Sequence, residues 1–193
     1  QLQFALMNAP DKRYQDAFGR ALTYLYSFIN RKKKRVERYR ESKEDSVERM
    51  ARMLRALGEP HTKFPSIHIA GTKGKGSVAA MCANSLRLSD LRVGLFTSPH
   101  LREFRERIRV VTPDDAEGLI SEDDFVCYVE QVKPIIEAEE HVIWFEAVTL
   151  IAFLHFAREQ VDVAVVEVGM GGRLDATNAL DPLVSVITSL SLD

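Results

Sequence analysis

Residues 67–81 read IHIAGTKGKGSVAAM, and the fold turns on them. A short apolar run, Ile67 to Ala70, meets a loop with three glycines and two lysines in the seven residues from Gly71 to Ser77. Residues that favour a helix follow at once. A loop between a strand and a helix N-terminus presents unpaired N–H groups at the positive end of the helix dipole, where an anion is welcome. Gly71, Gly74 and Gly76 allow tight turning and close approach to phosphate oxygens. Lys75 supplies a point charge for the outer phosphates, and Ser77 offers a hydroxyl that either caps the helix or meets a phosphate or metal. Two nucleotide patterns compete. Gly74-Lys75-Gly76-Ser77-Val78-Ala79 fits the dinucleotide fingerprint, but the second strand ends Phe96-Thr97-Ser98 without the acid that a ribose requires. A lysine inside the turn favours a triphosphate, although Lys75 is followed by Gly76 before Ser77 and the spacing back to Gly71 is short for the standard loop.

Outward from the loop, apolar spacing predicts helices over 14–29 and 46–57, the second stopped by Gly58 with Pro60 beyond. Strands follow at 67–70, 92–97, 161–168 and 183–188. Helices are expected at 77–88, at 121–138 with an interruption near Pro134, and at 145–158. The run VDVAVVEV has too few polar positions for a wet face, as in a parallel sheet covered on both sides. Alternating strands and helices imply a doubly wound, mostly parallel α/β sheet. Residues 98–118 read as one long irregular stretch, a length often kept for function.

The chain has 193 residues, 46% hydrophobic and 28% charged, with a formal net charge of −2. That suits a globular domain and gives no sign of nucleic-acid or membrane binding. The basic run RKKKRVERYR at 31–40 reads as a solvated turn or helix end. Cys82 and Cys127 form no disulfide framework or metal-type spacing, so a reducing compartment, the cytoplasm, is expected. The start at Gln1 and a strand-like run ending at Asp193 suggest a piece of a longer protein.

GTKGKGS (71–77), LFTSPHLREFRERIRV (95–110), FEAVTLIAF (145–153) and VVEVGMGGRLDATN (165–178), in that order, resemble folylpolyglutamate synthase and dihydrofolate synthase of the Mur-ligase superfamily. In that family this phosphate loop is normal, which removes the spacing objection. The resemblance implies a P-loop ATP-binding domain at 61–193, truncated, with an N-terminal helical segment at 1–60 packing on it and the C-terminal domain absent. It implies an ATP- and Mg²⁺-dependent ligase that joins L-glutamate to a folate or dihydropteroate carboxylate through an acyl phosphate, acting as a monomer, with this stretch inactive by itself. A nucleotide-binding module without ligase chemistry, or another Mur-type amide ligase, is the alternative.

The roles implied are these. Gly71, Thr72, Lys73, Gly74, Lys75, Gly76 and Ser77 hold the nucleotide, with Lys75 on the β- and γ-phosphates. Ser98 and Glu167 are magnesium ligands; a carboxylate in the otherwise apolar VAVVEVG is costly unless paired or bound to a cation. A third metal-site histidine of the family falls just beyond Asp193. His100, Leu101, Phe104, Arg105, Glu106 and Arg107 belong to the loop beside the folate. Phe145 faces the pterin ring, unless it is core, and Asp175 bonds its amine nitrogens, unless it caps a helix. Ile143 stands where the family often has threonine. His61, His68, His141 and His155 show no ligand spacing and read as core or surface residues.

Overall fold

A computed structural model describes residues 16–32 and 46–191. Tyr14 and most of the basic run lie outside them. Helix α1 spans Ala17–Lys32 and α2 Ser46–Ala56. Strand β1 spans Ser66–Ala70, α3 Lys75–Arg87, β2 Val93–Phe96 and β3 Ile108–Val111. Helices α4, Glu122–Ala138, and α5, Trp144–Arg158, precede β4, Val163–Glu167, and β5, Val184–Ile187.

The helix ends follow from local chemistry. Asp16 accepts the Gly19 amide at 2.7 Å and starts α1. Gly58, at φ 75°, lets the amides of Gly58 and Glu59 return to the carbonyls of Arg55 and Leu54, closing α2. The Ser121 hydroxyl accepts the Asp124 amide, and three acids fill the first turn of α4.

The strands order as β3-β2-β4-β1-β5, all parallel except the β2–β3 pair. Every residue of β4 is buried, as the unbroken apolar run predicts. Val163 and Val165 face α3 with Ile69, Ala79, Ala83 and Leu95. Ala164 and Val166 face the opposite layer, where α1, α2, α4 and α5 share one core. Leu22, Leu25 and Phe28 of α1 and Met50, Met53 and Leu54 of α2 lie inside that core rather than in a separate one.

Two expectations are corrected. The stretch 98–118 is not wholly irregular: it holds a 3₁₀ turn at Phe104–Arg107 and strand β3, antiparallel to β2 with Phe96 opposite Ile108. Its four residues carry Arg109 and sit among charges, so only pairing with β2 identifies them as a strand. Helix α4 passes through Pro134 without interruption. Pro134 and Glu130, whose carbonyl loses its helical donor there, both lie on the exposed side and meet water. Among the described residues strand β5 lies at one end of the sheet, and Leu183, Val184 and Ile187 are exposed.

Among the described residues no helix is long and apolar enough to cross a membrane. Cys82 and Cys127 are free thiols.

Candidate nucleotide and substrate site

The carboxyl ends of β1, β2 and β4 converge, and the loops leaving them carry most of the residues singled out above. Parallel α/β sheets bind ligands at this edge.

Gly71 (φ 138°) and Gly74 (φ 83°) hold backbone conformations that side chains resist. Gly74 is the N-cap of α3, so the helix begins at Lys75 and Ser77 sits within its first turn, exposed. The capping role considered for Ser77 therefore belongs to Gly74. Lys75 Nζ donates to the Gly71 carbonyl at 2.8 Å, which bends its charge back over the loop. Thr72 and Lys73 are fastened from β5: the Thr72 amide donates to the Ser189 carbonyl at 2.7 Å, and the Thr188 hydroxyl to the Lys73 carbonyl at 2.7 Å. Thr188 and Ser189 went unnoticed in the sequence. Hydroxyl residues after a strand are common, and nothing local says which loop they will meet.

Glu167 ends β4 and is 4% exposed. Its Oε2 accepts the Ser98 amide at 2.7 Å, and its carboxylate lies beside Gly76. Burial pushes its pKa up; the Ser98 and Gly76 amides and the charges of Lys75 and Arg107 oppose this. It forms no side-chain ion pair within 4 Å among the described residues. A buried carboxylate so placed fits a hard cation, and the Ser98 residue whose amide it accepts also carries a hydroxyl group. Among the described residues no group of three or more His, Cys, Asp or Glu could enclose a metal.

The loop after β2 is organised by Glu106, which accepts the amides of Leu101, Arg102 and Glu103 at 2.7–3.1 Å. Burial works to raise its pKa, but the three donors prevail and lower it. Arg105 pairs with Glu103. Arg107 is buried; its Nε donates to His100 Nδ1 at 2.8 Å, and its guanidinium lies 4.8 Å from the Trp144 ring. Desolvation brings its pKa down to about 10, with Tyr26 and Glu167 opposing. Leu101 projects outward, 88% exposed. Phe104 does not offer a face for a ligand: its ring is packed against Phe125, Trp144 and Tyr26 and anchors the loop to the core.

Phe145 opens α5, half-buried against Phe96 at 5.7 Å. A Cβ on Gly169 would lie 2.5 Å from its ring, so only glycine fits there. Asp175 takes the capping alternative. It accepts the Thr177 amide (3.0 Å) and hydroxyl (2.6 Å) on Oδ1, and the Met170 amide (3.0 Å) on Oδ2. Glu146, beside Phe145, was also missed. It is wholly buried and receives Ser46, both nitrogens of an Arg49 fork and the Ile143 amide. Its signal was a charge at the start of an apolar helix, which equally describes an exposed first-turn acid.

No protein-family model matches the chain. The dihydrofolate synthase/folylpolyglutamate synthase of Bacillus subtilis is 40% identical over 152 residues, covering 75% of this chain and 34% of that protein. The crystal structure of folylpolyglutamate synthase from Thermotoga maritima matches with TM-score 0.70 and 48% identity, over 76% of this chain and 35% of its own. A solved complex of folylpolyglutamate synthase with AMPPCP and folate matches with TM-score 0.79 and 37% identity, over 91% of this chain and 41% of its own. The chain spans 17% to 34% of the length of the first curated relatives it resembles.

Proposed function

We propose that this chain, a relative of the folylpolyglutamate and dihydrofolate synthases, forms the ATP-binding part of a ligase that joins L-glutamate to a folate or dihydropteroate carboxylate. The observation that carries the reading is the meeting of three elements at one sheet edge. Gly76, in the phosphate loop, lies against the buried Glu167 carboxylate, which also accepts the Ser98 amide after β2. The relatives with bound AMPPCP and folate support it.

The reaction brings a carboxylate against a phosphate, so cations and N–H groups must crowd the site. Lys75 and the amides of Gly74 and Gly76 serve the outer phosphates. Lys75 leaves the Gly71 carbonyl to do so, an exchange of one acceptor for a charged one. Glu167 and Ser98 would hold Mg²⁺, which supplies charge neutralisation between phosphate oxygens. On the substrate side, Phe145 offers an aromatic edge beside Gly169. Arg107, held in place by its bond to the neutral His100 ring, supplies a fixed positive charge that suits a carboxylate. Substrate carboxylate takes the γ-phosphoryl group, and the glutamate amine then displaces phosphate from the acyl phosphate.

Calorimetric titration of ATP with Mg²⁺ into the chain and into its Lys75→Ala variant tests the nucleotide site. Binding that weakens at least about tenfold without the lysine supports it, since a charged hydrogen bond contributes about 1.5–3 kcal/mol. Equal binding by both proteins would remove the loop from the site.

A further inference from the structure

We propose that His68 is a positioning residue for the glycine-rich loop after β4: its ring donates to the Thr177 hydroxyl and commits that hydroxyl to Asp175, whose carboxylate closes the loop beside Phe145.

His68 lies in β1, three residues before the phosphate loop, and is 8% exposed. Its Nε2 is 2.8 Å from Thr177 Oγ1. Thr177 is fully buried and has one hydroxyl proton. A carboxylate only accepts, so that proton goes to Asp175 Oδ1, 2.6 Å away. The hydroxyl must then accept from His68, which places the imidazole proton on Nε2. Burial lowers the His68 pKa, with Asp175 opposing, and keeps the ring neutral near pH 7.

The chain of bonds has a defined end. Asp175 Oδ2 accepts the Met170 amide, so one carboxylate ties residue 170 to residue 177. The segment it closes begins next to Gly169, against which the Phe145 ring is pressed. The strand that delivers the phosphate loop and the loop over Phe145 are thus joined through a single imidazole. Substrate contact by that loop rests on the folate reading above. The bonds themselves do not.

The test compares the wild-type chain with His68→Leu, which cannot donate, and His68→Gln, whose amide can. Nitrogen NMR of the imidazole is expected to show the neutral Nε2–H form. Amide exchange at Met170 and Thr177 is expected to rise at least about tenfold in His68→Leu, the scale of one lost buried hydrogen bond, and to return in His68→Gln. The Val78 amide, inside α3, should keep its protection. With dihydropteroate as probe and the single tryptophan, Trp144, as reporter, Kd should rise about tenfold in His68→Leu alone while Kd for ATP stays fixed. An Nδ1–H tautomer, unchanged exchange, or a rise shared by every amide would overturn the proposal. Failure of the wild-type chain to bind dihydropteroate would overturn the folate reading instead, and the exchange data would still decide the role of His68.

Discussion

The Ser98 amide donates to Glu167 Oε2 across 2.7 Å, joining the ends of β2 and β4. Neighbouring parallel strands end side by side, so residues 69 positions apart in sequence become hydrogen-bond partners. Glu167 thereby sits beside Gly76, in the first turn of α3.

Replacing Glu167 with Gln keeps the shape and removes the charge. ATP affinity should fall about tenfold or more when Mg²⁺ is present and change little in its absence, since a hard cation needs the carboxylate. Parallel titrations with Mg²⁺ and with a chelator check this; equal losses in both would mean that Glu167 serves only to shape the loop.

Arg49 and Glu146 form a buried ion pair at 2.7 Å, with side chains 4% and 0% exposed. Arg49→Ala should lower folding stability by about 3–5 kcal/mol, because Glu146 is left charged, buried and short of donors. Urea unfolding of the two proteins measures it. Because α2 and the start of α5 are held together by this pair, the emission of Trp144 should also shift in the folded variant.

Gly169→Ala forces the Phe145 ring to move, as the added carbon would meet it at 2.5 Å. A loss of about 1–3 kcal/mol is expected from overpacking. Loss of stability in the Gly169→Ala variant that disappears when Phe145 is also made Leu, in a double-mutant cycle, would establish the contact as the cause.

His155 of α5 is buried against Tyr128 of α4, where desolvation opposes its charge, Glu159 and Asp124 favour it and Arg92 and Arg158 oppose it. Desolvation dominates and lowers its pKa below 6.5, so in acid the unfolded chain binds the proton first. Its contribution to stability is complete above pH 6.5 and is lost as pH falls from there through the folded value. Melting temperatures at pH 7.5, 6.5 and 5.5 should fall in acid, and His155→Phe should flatten the slope. An unchanged slope in that variant would assign the acid sensitivity to other groups.

The phosphate loop, the helices around it and the apolar β4 were legible because each is written in contiguous residues. Gly74 and Lys75 stand in a seven-residue pattern, the period-3.6 faces of α1 and α2 are visible, and VAVVE has no wet side. Helix starts were read to within three residues, since Gly74 capped α3 where Ser77 seemed the natural candidate. Strand β3 escaped because four residues with an internal arginine carry almost no pattern of their own.

The sequence by itself determined the class of sheet and the place of the glycine-rich loop at its carboxyl edge, since strand burial and glycine turns are local matters of pattern and backbone freedom. Only the tertiary structure decided which distant groups meet: Thr188 with Lys73, Arg107 with Trp144, Arg49 with Glu146, His68 with Thr177 and Asp175. A polar side chain in a sequence shows what it can donate or accept. Its partner is set by strand order and layer packing, which in these pairs bring together segments up to 115 residues apart and exclude the water that would otherwise have satisfied them.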